Sequence, residues 1–89
     1  MRFIWDERKR GVNIKKHRLD FTDVQKVFGG PTFTFEDKRF DYGEQRFVTI
    51  GLLDVNVVVI AHTETEKEIR IISMRKANKN EQKIFFENL

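Results

Sequence analysis

Phe47-Val48-Thr49-Ile50-Gly51-Leu52-Leu53, Asn56-Val57-Val58-Val59-Ile60-Ala61-His62 and Glu68-Ile69-Arg70-Ile71-Ile72-Ser73-Met74 follow one another with little between them. Each run has strand length and is rich in β-branched residues, which suit a pleated surface. Asp54-Val55 reads as a turn and Thr63–Lys67 as a polar loop. Sequential strands joined by short loops pair as an antiparallel meander. The second run is almost continuously apolar, as expected of a central strand covered on at least one face. In the third, Ile69 and Ile71 fall on one face, Arg70 and Ile72 on the other.

Outward from the meander, helices alternate with short strands. Thr32–Phe35 reads as a strand. Before it, Phe21, Val24, Val27 and Phe28 recur at helical spacing and give one apolar stripe. Thr22 and Gln25 have capping-box spacing, Gly29 suits a left-handed C-terminal residue, and Pro31 ends the helix. Arg2–Trp5 alternates as a first strand. Asp6 follows as an N-cap, with Glu7 in the first turn, and predicts a helix over residues 6–16 that Gly11 weakens. Lys76–Glu87 has helix-forming composition, with Ala77, Ile84 and Phe85 as its inner face. The expected fold is α+β: an antiparallel sheet with two N-terminal helices and one C-terminal helix packed on it.

Composition narrows the function classes. The chain has 89 residues, read as one domain spanning 1–89, and 39% of them are apolar, enough for one thin core. It has no cysteine, which removes disulfides, thiolate zinc sites and cysteine nucleophiles, and fits a reducing compartment. The longest apolar run, Val57–Ala61, is far too short to cross a bilayer. Residues 1–20 show no secretory pattern, so no membrane association is expected and the expected location is cytoplasmic. Net charge is +3, unevenly placed: residues 1–18 carry +5 and the remainder −2. A basic N-terminal segment suits a phosphate-rich partner, and equally a solvated helix face.

Three groups of residues carry possible chemistry. The meander brings Arg46, His62 and Arg70 to one region, with Arg75 at the other end of the third strand. There an arginine fork and free helix N–H groups suit a phosphate. Lys9, Asn13, Lys16 and His17 line one side of the first helix, as phosphate-compensating charge and a group that titrates near neutrality, or as a solvated face. In Asp41-Tyr42-Gly43-Glu44-Gln45-Arg46, Glu44 suits a general base, Tyr42 a donor or stacking ring, and Arg46 a phosphate clamp. The same stretch also reads as a turn at Gly43 with a Glu44–Arg46 salt bridge. Two histidines without acid partners at ligand spacing give no zinc site, and no phosphate-loop or nucleophile-elbow motif occurs. His62, after an apolar run, reads as structural.

Set in order, Phe3-x-Trp5-Asp6-Glu7-x-Lys9, Asn13-x-x-Lys16-His17, Phe21, Asp41-Tyr42-Gly43-Glu44-x-Arg46, Gly51 and Ile69-Arg70-Ile71-Ile72-Ser73-x-Arg75-x-Ala77-x-x-x-Glu81 resemble the BrnT family of bacterial type II toxins. The resemblance covers residues 3 to about 86. It implies a RelE-like fold and a metal-independent endoribonuclease, without cofactor, that stops translation. It also implies a BrnA-type antitoxin that neutralises by direct contact in a 2:2 heterotetramer. The antitoxin alone would contact operator DNA, and the complex would repress its own operon. Arg18 stands where the family usually has Gly, Met74 where Ala is commoner, and His62 near an expected tyrosine or other polar residue.

RNA carries its own nucleophile, the 2′-OH. The protein must take its proton, neutralise charge at phosphorus and protonate the leaving 5′-oxygen. The resemblance and the residue chemistry together nominate His17 or Glu44 as base or acid, Arg46, Arg70 and Arg75 as phosphate ligands, and Lys16 as added charge. Lys9, Asn13 and Tyr42 are nominated for RNA binding. The rival readings are a non-catalytic module that binds nucleic acid or protein through the basic segment, and an interaction domain without activity.

Overall fold

A computed structural model describes residues 1–89. The chain runs β1 (Arg2–Ile4), α1 (Glu7–His17), a 3-10 turn (Phe21–Asp23), α2 (Val24–Phe28), β2 (Thr32–Asp37), β3 (Arg46–Leu53), β4 (Asn56–Glu64), β5 (Glu68–Lys76) and α3 (Lys79–Glu87). The five strands form one sheet in the order β1-β5-β4-β3-β2. The three-strand meander forms as expected from β3 to β5 and β2 extends it antiparallel, but β1 pairs parallel with β5, so the sheet is mixed rather than antiparallel. The neighbour rule fails there because the partner of β1 is the last strand, reached only after the helices and the whole meander. Such separation is what parallel pairing requires.

Strand alternation divides the sheet into two faces. On one, Leu53, Val58, Ile60, Ile69, Ile71 and Met74 join Leu19, Phe21, Val24 and Val27 in the main core, with Phe3, Trp5 and Phe28 packed against it. This face lies beneath α1 and α2. On the other, Ile50 and Val59 pack with Phe85 of α3, flanked by Val48, Leu52, Val57, Ala77 and Ile84. Gly51 allows the close seating of α2: a Cβ there would meet Val27 Cγ1 at 2.7 Å and Thr32 Cγ2 at 3.2 Å.

One irregularity decides what β5 displays. A β-bulge sets Ala61 opposite Ser73 and His62 opposite Ile71, leaving Ile72 as the extra residue. Strict alternation would put Arg75 on the core side with Ile71. The bulge shifts the phase, so Met74 enters the core while Ser73 and Arg75 join Arg70 on the α3 side.

Local signals differ in outcome. Asp6 caps α1, accepting from the N–H groups of Arg8 and Lys9. Residues 21–23 form a 3-10 turn capped by Asp20, so no capping box forms from Thr22 and Gln25. Gly29 is right-handed, with φ −77°, because Gly29 and Gly30 N–H close the last turn directly onto Gln25 and Val27 carbonyls. The capping box belongs to α3, between Asn78 and Glu81. That helix begins at Lys79 because β5 runs on to Lys76.

A candidate active site on the half-covered face

Helix α3 covers only one end of its face of the sheet. The uncovered part carries Phe35, Val48, Ala61 and Ser73 as its floor, with Asp37, Arg39, Arg75 and Glu81 around it. Arg75 donates to both Glu81 carboxylate oxygens, from Nη1 at 2.7 Å and Nη2 at 2.8 Å. Glu81 also accepts from the Asn78 backbone N–H at 3.0 Å, so the start of α3 fixes the carboxylate that fixes the arginine. Arg75 holds the Glu81 carboxyl below its ordinary range, and Glu81 raises the guanidinium in return.

Beside this pair stands a second fork. Arg39 donates from Nε and Nη2 to the two oxygens of Asp37, each at 3.0 Å. Tyr42 Oη donates to the same carboxylate at 3.0 Å. These donors, Arg39 foremost, push the Asp37 carboxyl well below the usual carboxylate range. The Arg39 charge also acts on Arg75 and Glu81. Neither Arg39 nor Asp37 is among the sequence-derived candidates. Their only signal is position, immediately before the Tyr42–Arg46 stretch.

Further along the same face, Glu44 accepts from Arg70 Nη2 at 2.7 Å and lies 3.8 Å from Arg46 Nε. The Arg46 guanidinium sits 4.1 Å from the centre of the Tyr42 ring, and its buried Nε has no hydrogen-bond partner. The Glu44–Arg46 salt bridge expected at the Gly43 turn is present, shared with Arg70. Gly43 takes φ +72°, a conformation that costs glycine little. Arg46 and Arg70 are brought together as expected, but His62, expected in the same region, alternates to the opposite face and is buried there. Arg75 belongs to a separate cluster, tied to Glu81 rather than Glu44. The face thus offers four guanidinium groups against three carboxylates.

The first helix lies on the other side of the sheet. Lys9, Lys16 and His17 line a depression of about 360 Å³ with Arg8, Val12, Asn13, Ile72 and Ser73. Neither lysine has a carboxylate within ion-pair distance, whereas Arg10 of the same helix is taken up by Glu7 and Asp20. Ser73 lines this depression and the arginine cavity alike, because β5 is an open edge beyond the three residues that β1 covers. His17 and Glu44 are not in contact.

Asn13 departs from its expected role in RNA binding. It is 5% exposed and its amide donates to the carbonyls of Leu19 and Met74 while accepting from Met74 N–H. The side chain stands in for the strand that β1 is too short to supply, so no free N–H remains for RNA. His62 is structural as expected. It is fully buried, its ring edge-on to Phe28 and stacked near Phe47, with Nε2 2.7 Å from Thr49 Oγ1. Burial pushes its pKa down to about 4, so it is neutral at pH 7 and its contact with Glu64 is not an ion pair. No three His, Asp or Glu side chains gather as a metal-ligand set. No helix is long and apolar enough to cross a membrane.

The same chain is similar to known proteins. A sequence profile described as the ribonuclease toxin BrnT of a type II toxin-antitoxin system matches residues 5–81. Among curated protein sequences none matches. Among solved structures, the crystal structure of the Brucella abortus ribonuclease toxin BrnT superposes with a TM-score of 0.74 at 32% identity. The alignment covers 89% of this chain and 99% of that one. The profile spans the first helix, both arginine clusters and the Arg75–Glu81 fork, so this chain belongs to the BrnT family of ribonuclease toxins of type II toxin-antitoxin systems.

Proposed function

We propose that the protein cleaves RNA without a metal ion, by attack of a 2′-OH on the adjacent phosphorus, giving a 2′,3′-cyclic phosphate and a 5′-OH. The observation that carries this reading is the gathering of Arg39, Arg46, Arg70 and Arg75 on the half-covered face, each held by a carboxylate or an aromatic ring. An arginine has five N–H donors, and one carboxylate leaves some of them unused. Arg46 and Arg70 hold the scissile phosphate, and Arg75 the neighbouring one. Glu44, between Arg46 and Arg70, takes the proton of the 2′-OH. Water on this open face protonates the leaving 5′-oxygen, and Lys9, Lys16 and His17 on the other side of the sheet add positive charge for the flanking RNA. Tyr42 holds the RNA beside Arg46.

The biological reading follows the family. Cleavage stops translation in the cytoplasm. A BrnA-type antitoxin neutralises the toxin by direct contact in a 2:2 assembly, and carries the contacts to operator DNA through which the complex represses its own operon. The RelE-like relationship is part of the same proposal.

The test is induction in a bacterial host, alone and with the antitoxin, followed by assay of the purified protein on RNA in chelator. Growth arrest rescued by the antitoxin, with chelator-resistant fragments ending in 2′,3′-cyclic phosphate and 5′-OH, is the expected result. Fragments with 5′-phosphate ends, formed only with a divalent cation, overturn the mechanism. Salt-dependent RNA binding with no cleavage returns the reading to a binding module.

A further inference from the structure

Between the two arginine clusters the loop after β2 carries two aromatic rings, of which Phe40 is the exposed one. Phe40 is 67% exposed, in a chain whose other phenylalanines are mostly packed. Its ring meets that of Tyr42 edge-on at 5.8 Å between centroids. The Arg39 guanidinium lies 5.9 Å from the Phe40 centroid, and Arg46 covers the Tyr42 ring at 4.1 Å. The result is a ladder, Arg39–Phe40–Tyr42–Arg46, whose outer rungs are two guanidinium groups, one from each arginine cluster.

Tyr42 cannot move freely within it. Its hydroxyl is tied to Asp37, which is tied to Arg39, so the ring is a fixed wall. Phe40 has no such tether and makes no contribution to either core cluster. An exposed aromatic ring flanked by guanidinium groups is the arrangement on which unstacked bases of single-stranded RNA settle. Charge complementarity selects the occupant, because a polyanion with π-faced bases satisfies both the arginines and the ring.

We propose that Phe40, seated between Arg39 and Tyr42, is a stacking platform for the nucleobase next to the cleaved phosphate, and so contributes to the choice of cleavage site. This rests on the ribonuclease reading above. Stacking is available to any base, so the platform favours an unpaired position over a paired one. It ranks bases by stacking strength rather than by hydrogen-bond pattern.

The test separates binding from cleavage. A short 2′-fluoro oligoribonucleotide lacks the 2′-OH, so its affinity reads the platform even where no cleavage occurs. In it, replacing one nucleotide with an abasic ribose should weaken binding to the unmodified protein about 5- to 100-fold at one position. Phe40→Ala and Phe40→Leu should each show a similar loss with the intact oligonucleotide and no further loss with the abasic one. Phe40→Trp should retain affinity. The leucine variant keeps apolar bulk, so it distinguishes stacking from loop packing. If all variants bind the intact oligonucleotide as the unmodified protein does, the platform is wrong. Loss of antitoxin binding with unchanged RNA affinity assigns the ring to a protein partner and also overturns it. If RNA is bound with the abasic penalty but never cut, the cleavage reading fails while the platform stands.

Discussion

Beneath α1 and α2 the sheet presents Leu53, Val58, Ile60, Ile69, Ile71 and Met74, and its polar side chains there, Thr49 and His62, bond to each other. On the reverse of the same strands, Arg46, Arg70 and Arg75 rise beside Val48 and Ala61, and every one is held by a partner near solvent. The first face has one way to be satisfied, which is to stay dry. The second is satisfied by carboxylates that a phosphate can replace. A small domain with one thin core thereby keeps its dry packing and its paired arginines on opposite sides of a single sheet.

The sharpest way to break that comparison is to delete one side chain from each face. Phe21→Ala removes a fully buried ring and should cost about 3–5 kcal/mol, a large share of the stability of a chain this size. Arg70→Ala should cost no more than about 1 kcal/mol, because the pair with Glu44 is half-exposed and screened. Its RNA cleavage should nevertheless fall about 100-fold or more, as removal of one donor to a transition-state charge does. Arg75→Ala should behave alike, with a slightly larger stability cost from the freed Glu81. Thermal melts beside cleavage assays decide it. An arginine variant that melts as low as Phe21→Ala, or that still cuts RNA, dissolves the division.

Acid titration sharpens the same contrast, because the two faces lose stability in different windows. His62 is neutral in the fold, with a pKa of about 4 against an ordinary 6.5. Between these values the unfolded chain binds a proton that the folded chain refuses. Stability is therefore full above pH 6.5 and falls toward pH 4, by about 3 kcal/mol in all. Asp37 and Glu81 act with the same sign in a lower window: their lowered carboxyls stabilise the fold above their ordinary values of 3.8 and 4.5, and that stability is lost only in stronger acid. Denaturant melts from pH 8 to 3 should show the first loss in the histidine window. His62→Gln should flatten that part and leave the acid part. An unchanged profile in the variant would falsify the assignment to His62.

The two faces were not equally legible in the sequence. The core side follows from periodicity, since apolar spacing in the helices and strands has few alternatives once a meander is accepted. Asp6 as a cap and His62 as a buried group follow from local chemistry. The arginine side depends on events that periodicity does not encode. Arg70 and Arg75 share a face only because of the bulge at Ile72, and strict alternation sends them apart. Arg39 and Asp37 lie where β2 runs past its expected end at Phe35, and nothing in their spacing marks them. Asn13 has the helical spacing of a ligand-facing residue. It is withdrawn into the fold because β1 stops after three residues, leaving the backbone of Met74 to be satisfied from the helix. Long-range pairing, rather than propensity, decides each of these.

The smallest expected effect lies at the seam between the faces, where α1 ends. Arg18 takes φ 59°, the left-handed conformation, while its N–H closes onto the Ile14 carbonyl. A side chain in that conformation costs about 1–2 kcal/mol, which glycine avoids while forfeiting about 0.5–1 kcal/mol of chain entropy. The helix therefore ends as it would with glycine, and the arginine is tolerated rather than required. Arg18→Gly should raise stability by about 0.5 kcal/mol, a gain of roughly 2–4 °C in Tm for a domain of this length. Arg18→Ala should give no such gain, because alanine keeps the Cβ that the conformation resists. If glycine and alanine melt alike, backbone strain at this turn is not what the arginine costs.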